Sequence, residues 1–264
     1  MIPIRDINPT RTVPFVTYGL IVANILVFFW QLSAPAEIYD RLVFAFGLVP
    51  ARVVDSPVDE AFTVVSSMFM HGGWAHLGGN MMFLYVFGDN VEDVLGHRRY
   101  LGFYLVAGLC AAIAQVMVNT SSVIPMVGAS GAIAGVIGAY LLLYPMAPIQ
   151  VLNPIFLLWF FLGPLLTLPA WMVAGWFFVA NLVSGVAMVA SASAGQGGGT
   201  AFFAHLGGFV AGLWLIRPVL AEAKRRPRQQ WDSWRTGPQP ARRRALSAQH
   251  RRNSPVGRRP DPWL

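Results

Sequence analysis

The chain has 264 residues, of which 55% are hydrophobic and only 12% charged, with 18 Phe and 9 Trp. A soluble domain of this size needs more charge to cover its surface, so composition excludes that class and indicates a membrane protein. The net charge of +7 is unevenly spread, with thirteen of the nineteen Lys and Arg but only three of the twelve acids lying from Arg217 onward.

About 20 apolar residues cross a hydrocarbon core, and this length sets the chain's divisions. Residues 1–13, with Arg5 and Arg11, form a cytoplasmic N-terminal segment under the positive-inside rule. Residues 14–32 are the first expected span. "SAPA" at Ser33–Ala36 mimics a signal-peptidase site, but the run before it is long enough to stay as a helix. Residues 33–75 form a long outer loop holding Arg41, Arg52 and most of the acids of the apolar body. It is too long for a plain connector, which predicts short amphipathic helices at the interface.

Further spans are expected at 76–94, 100–118, 128–144, 169–189 and 201–220. Residues 149–168 are also apolar, but Pro154, Gly163 and Pro164 interrupt them. A seventh span would also put the basic tail on the side opposite Arg98 and Arg99, so this stretch reads as a broken interfacial segment. "SASAGQGGGT" at Ser191–Thr200 is a glycine-rich outer loop, expected to be mobile. Residues 221–264 form a basic, disordered cytoplasmic tail suited to anionic lipid rather than nucleic acid. Cys110, the single cysteine, sits in an apolar run and can form no internal disulfide. The expected fold is an all-α polytopic bundle of six transmembrane helices over 14–220. The expected location is the bacterial cell (inner) membrane, with both termini cytoplasmic.

Polar groups inside spans are expensive and mark function. Ser130 lies just inside the fourth span and His205 just inside the sixth, and both spans start from the outer face. His76 and Asn80 open the second span from the same face, four residues apart and therefore on one side of a helix. Three distant segments thus bring a serine, two histidines and an asparagine to one depth. Small-residue faces allow the close approach: Gly128, Gly131, Gly135 and Gly138 line the fourth span and Gly207, Gly208 and Gly212 the sixth. Each holds a G-x-x-x-G, at 131–135 and 208–212.

Serine becomes a nucleophile when a neutral histidine takes its proton. Asn80, His76 and the Ser130 backbone N–H are candidate donors to an oxyanion; Gly131, next in line, is left without a role there. Asp89 lies nine residues beyond Asn80, roughly 13 Å deeper at 1.5 Å per residue, so the pattern is a dyad and not a triad. The hydrolase elbow G-x-S-x-G fails as well, because Ala132 stands where its last glycine would be.

"HGGWAHLGGNMMFLYVFGDNVEDVLG" from His71, "GASGAIAG" from Gly128 and "AHLGGFVAGL" from Ala204 resemble the rhomboid family of intramembrane serine proteases. The likeness covers about residues 14–220. It implies a six-helix bundle around a water-filled cavity, with Ser130 as nucleophile, His205 as general base, and His76 and Asn80 assisting the oxyanion. His71 matches a family histidine of more structural role, and Gly128, Gly131 and Gly208 fall beside the site. The implied substrates are transmembrane helices of other proteins, cut near their outer ends. Residues 169–200, with Trp171, Trp176, Phe177 and Phe178, match the region of substrate gate and cap.

There are two departures. Many members carry an aromatic four residues after the serine, stacked on the catalytic histidine, where this chain has Ala134. The Trp-Arg pair common in the first loop is Phe62-Thr63 here, so that loop needs other anchors.

The reading requires no cofactor and no metal; its partners are transmembrane-helix substrates and membrane lipids, with no nucleic acid. Three rivals remain. One is an inactive relative that binds transmembrane helices. Another is a metalloprotein using His71, His76 and His205, although no carboxylate or cysteine shares their depth. The third is a transporter, which would show paired broken helices in repeated halves, whereas this chain has one such segment.

Overall fold

A computed structural model describes residues 2–153, 159, 163–192 and 202–220. The expected basic tail (221–264) and most of the glycine-rich loop (193–201) lie outside the described residues. The fold is mostly helical. In chain order it runs β1 (Ile2–Asp6), α1 (Phe15–Ser33), α2 (Ala36–Phe46), α3 (Pro50–Asp55), α4 (Ala61–Ser66), α5 (Trp74–Leu95), α6 (His97–Val118), α7 (Ser130–Leu143), β2 (Pro148–Leu152), β3 (Leu165–Pro169), α8 (Ala170–Ala192) and α9 (Phe202–Leu215).

The expectation of an all-α chain is corrected by a three-stranded antiparallel sheet with β2 in the middle. Ile2 pairs with Leu152 and Asp6 with Ile149, while Pro148 to Leu152 pair with Pro169 to Leu165. Both described ends of the 149–168 segment are therefore strands. Its prolines and β-branched residues disfavour helix, and pairing satisfies backbone groups that an irregular apolar segment would leave open.

α1 and α6 are long and apolar enough to cross a membrane by length and composition. α5 matches α6 in length but carries Asp89, Glu92 and Asp93 near its end. α7 and α9, of 14 residues each, reach only about 21 Å at 1.5 Å per residue, against a core of about 30 Å. The exposed faces are those of a membrane protein. Val22, Leu26, Phe29 and Trp30 on α1, and Val106, Leu109, Ile113 and Met117 on α6, form exposed apolar stripes that water would not tolerate.

α7 is the centre. Gly131 to Tyr140 are all buried, as expected of a helix apolar on every side. Its glycines meet those of α9 backbone to backbone. A Cβ added at Gly208 would lie 1.9 Å from the Gly131 carbonyl oxygen, and one at Gly212 would lie 1.9 Å from that of Gly135. The pairs 131–208 and 135–212 ascend together, so α7 and α9 run parallel with their N-termini side by side. α6 joins the same seam: a Cβ at Gly131 would come within 2.6 Å of the Ala111 methyl, and one at Gly208 within 3.4 Å of it.

The opposite end of the bundle is held by polar groups. Glu92 of α5, fully buried, accepts the Val16 N–H (2.9 Å), the Thr17 N–H (2.8 Å) and the Thr17 hydroxyl (2.7 Å). It thereby caps the first turn of α1, which has no cap of its own. Asp93 accepts from the backbone of Arg11 and Thr12. Asp6 of β1 accepts the Tyr140 hydroxyl at 2.9 Å and the Asn90 amide at 2.7 Å, so the sheet is tied to α7 and α5.

Burial first, and the nearby Asp89 carboxylate second, raise the Asp6 pKa well above the usual carboxylate range. A raised carboxyl stabilises the fold in its protonated form. That contribution is whole below the ordinary carboxylate range and is lost as pH rises through the raised value. Asp6→Asn should therefore match the wild type in melting temperature at acid pH and exceed it increasingly toward alkaline pH, as followed by thermal unfolding in detergent. Gly208→Ala should force α7 and α9 apart and cost about 1–3 kcal/mol, the range for overpacking. An unchanged melting temperature would mean that the helices are not in backbone contact.

Candidate active site

Ser130 is the first residue of α7 and His205 sits in the first turn of α9. Because α7 and α9 are parallel and touching, these two first turns lie together. Ser130 Oγ and His205 Nε2 are 2.7 Å apart. The hydroxyl donates and Nε2 accepts, which leaves the proton of the neutral imidazole on Nδ1. His205 is only 4% exposed, and among the described residues its Nδ1 has no hydrogen-bond partner.

His76 and Asn80, both on α5, face the same space. His76 Nδ1 accepts the Gly72 N–H at 3.4 Å, which leaves the proton on Nε2. That Nε2 points at Gly128, where an added Cβ would come within 2.7 Å of it. Gly128 also has φ +120°, a backbone conformation that side chains rarely adopt. It is glycine for both reasons, and it lets the chain turn into α7 close against His76.

Asn80 is buried, and its Nδ2 donates to His71 Nε2 at 3.0 Å. His71 Nδ1 in turn donates to the Phe69 carbonyl at 3.2 Å. Burial first, then His76, push the His71 pKa down to about 4, so its ring is neutral and Nε2 can accept. Gln31 exchanges two hydrogen bonds with the His71 backbone, and the Tyr39 hydroxyl donates to the His71 carbonyl. His71 thus orients the Asn80 amide and leaves its second N–H for another acceptor.

Ser130, His205, His76 and Asn80 line a cavity of about 440 Å³ that also includes Gln115 and Phe177. Its rim is the 119–129 stretch, fastened to the loop between α1 and α5. Leu48 and Met126 exchange backbone hydrogen bonds, the Ala51 N–H donates to Ser122 and the Gly128 N–H to Ser67. The loop is braced without the Trp-Arg pair: Arg52 pairs with Glu60 and donates to the Phe44 carbonyl, while Phe46 stacks edge-on against Trp30 and Phe62. Ser130 and His205, in the first turns of the parallel α7 and α9, both line the cavity, and the positive dipole ends of the two helices favour an anion there. The Ser130 N–H lies at this end of α7. Gly131 and Gly208 serve the helix contact instead. His71, His76 and His205 do not converge as ligands, and among the described residues no three His, Cys, Asp or Glu side chains could hold a metal.

Sequence reasoning missed Gln115. From the last turn of α6 it accepts the Ala204 N–H at 3.2 Å, satisfying an orphan amide beside His205. A lone glutamine in an apolar helix was the available signal. The four bulky residues grouped on α8 also separate: Trp171 and Trp176 are exposed, whereas Phe177 turns inward.

Residues 58–222 match the family model described as Rhomboid domain. The chain is 29% identical to the Saccharomyces cerevisiae "Rhomboid protein 1, mitochondrial" over 82% of its own length and 58% of that protein's. To the Homo sapiens "Presenilin-associated rhomboid-like protein, mitochondrial" it is 30% identical, over 75% of this chain and 46% of the other. To the Bacillus subtilis "Rhomboid protease GluP" it is 34% identical, over 48% and 24%. The chain belongs to the rhomboid family, which includes serine proteases, and it spans about half the length of the curated relatives it matches most extensively.

The expected bacterial cell membrane is corrected by these comparisons. The relatives aligned with most of the chain are named as mitochondrial, whereas the Bacillus relative aligns with less than half of it. Charge asymmetry reports orientation across a membrane and carries no information about which membrane it is.

Gln115→Leu should leave the Ala204 N–H unpaired and lower stability by about 1–3 kcal/mol, measured by thermal unfolding. Gln115→Glu, which keeps an acceptor at that point, should lose less. Equal losses in the two variants would count against the hydrogen bond.

Proposed function

We propose that this chain is an intramembrane serine endopeptidase that hydrolyses peptide bonds in or near transmembrane helices of other membrane proteins. The observation that carries the reading is the 2.7 Å contact between Ser130 Oγ and His205 Nε2 on a polar cavity. In this reading His205 takes the serine proton as Oγ attacks the peptide carbonyl. The oxyanion is met by the second Asn80 N–H, the His76 Nε2–H and the Ser130 backbone N–H. His205 then passes its proton to the leaving amine, and water releases the acyl group by the same route in reverse. The dyad needs no carboxylate as a third member, because packing and the Ser130 bond hold the imidazole.

The proposal includes a six-helix membrane domain, formed by α1, α5, α6, α7, α8 and α9. α7 is about 9 Å shorter than the hydrocarbon core is thick, so Ser130 sits below the membrane surface while water reaches it through the cavity. A helical substrate has no free backbone carbonyl and must unwind before attack. The edge between α5 and α8, where Phe83 meets Phe177 at 5.1 Å, is the proposed opening toward lipid. The basic tail is proposed to contact anionic lipid.

Ser130→Ala and His205→Ala should each abolish cleavage of a reporter transmembrane substrate and covalent labelling by a fluorophosphonate probe, with insertion unaffected. Asn80→Ala should slow cleavage by about 10²–10³, the usual loss for one oxyanion donor, and by less where the other two compensate. Cleavage by purified Ser130→Ala protein would overturn the assignment. Inhibition by EDTA with rescue by zinc would favour the metalloprotein.

A further inference from the structure

The His205 ring is held in an unusual way. Its Nε2 is bonded to Ser130, but among the described residues nothing accepts from Nδ1, so no second hydrogen bond fixes the ring plane. A base anchored at one nitrogen can rotate about that bond and lose its alignment. Something must restrain it by packing. On α7, position 134, four residues after Ser130, carries only the methyl group of an alanine.

The restraint comes from α8. The Phe177 ring lies 5.7 Å from the His205 ring at 54°, a tilted contact within the range of favourable aromatic pairs. Phe177 is itself wedged, with Phe83 of α5 at 5.1 Å and Phe178 at 5.4 Å. Its neighbour Trp176 is exposed and cannot reach the site. One ring therefore touches the base and also closes the α5–α8 edge.

We propose that Phe177 is the positioning residue for His205, holding the imidazole in line with Ser130 and tying its alignment to the closure of the α5–α8 edge. This rests on the serine-protease reading. When α8 moves away from α5, the ring leaves Phe83 and His205 together, and the base is realigned once the edge closes again on the bound substrate. Reaction of a small soluble reagent with Ser130 needs the aligned base but not the opened edge. A plain gate and a positioning residue consequently give opposite results.

The test is the rate at which a fluorophosphonate labels Ser130 in the full chain in detergent, beside kcat and KM for a transmembrane substrate. Phe177→Leu keeps most of the side-chain volume without the ring and should slow labelling about tenfold at an unchanged melting temperature. It should lower kcat while leaving KM unchanged or reduced. Phe177→Tyr, which retains the ring, should label near the wild-type rate, and this comparison holds even where Phe177→Ala fails to fold. Labelling of Phe177→Leu at the wild-type rate, with faster cleavage of the membrane substrate, would make Phe177 a gate only and overturn the inference. Slower labelling in both variants, in step with lower melting temperatures, would also overturn it in favour of a general packing role. The parent reading is checked separately, since wild-type protein must be labelled and Ser130→Ala must not. An unlabelled wild type would overturn both.

Discussion

Two pairs of glycines, Gly131 with Gly208 and Gly135 with Gly212, hold α7 and α9 in backbone contact, and the Ser130–His205 hydrogen bond depends on that contact. Ser130 precedes the first pair by one residue on α7, and His205 precedes it by three on α9, so the bond continues the glycine seam by less than a turn. In lipid there is little hydrophobic force between helices, and association rests on close packing. Removing side chains from the seam lets dispersion and weak Cα–H···O contacts act along its length. The parallel arrangement sets like dipole ends beside each other, which is unfavourable by itself. Both positive ends face the cavity, however, and an anion formed there would relieve the repulsion.

At the other end the acids of α5 perform a different task. Carboxylates near a helix C-terminus oppose its dipole, yet Glu92 and Asp93 sit in the last turns of α5. They are stabilised by the start of the chain, where the α1 amides and the Arg11–Thr12 backbone need acceptors. Tyr140 links this end to the site: it lies ten residues, or about 15 Å, along α7 from Ser130, and donates to Asp6. α7 is thus clamped by a polar cluster at one end and left free to meet the Ser130 cavity at the other.

The cavity is shaped by elements that differ in fixity. α7, α9 and α6 are joined through glycine and alanine, with little freedom to slide. The rim is joined by a few backbone hydrogen bonds to the outer loop, and α8 meets α5 through aromatic side chains. Side-chain contacts of that kind can part and re-form without disturbing the glycine seam.

Much was legible in the sequence because it follows from local rules. Apolar runs of helical length gave the main helices, glycine spacing gave the α7–α9 faces, and the sparse polar residues gave Ser130, His205, His76 and Asn80 as a group, to which the family resemblance added His71. The strands were not legible. Ile2–Asp6 and Leu165–Pro169 carry no alternation of their own and become strands only because β2 brings partners to both. Nor could composition show which aromatic on α8 faces inward, because Trp176 and Phe177 are adjacent in sequence and a helix sends adjacent residues about 100° apart. Gln115 gained its meaning only when the first turn of α9 arrived beside it with an unpaired amide. By itself, then, the sequence determined which long segments are helical, which faces approach closely and which polar groups stand out from the apolar runs, since these depend on period and residue type. The tertiary structure alone decided which partner each polar group meets, which nitrogen of His71, His76 and His205 accepts a hydrogen bond and which ring rests on His205, since these depend on residues brought together from distant parts of the chain.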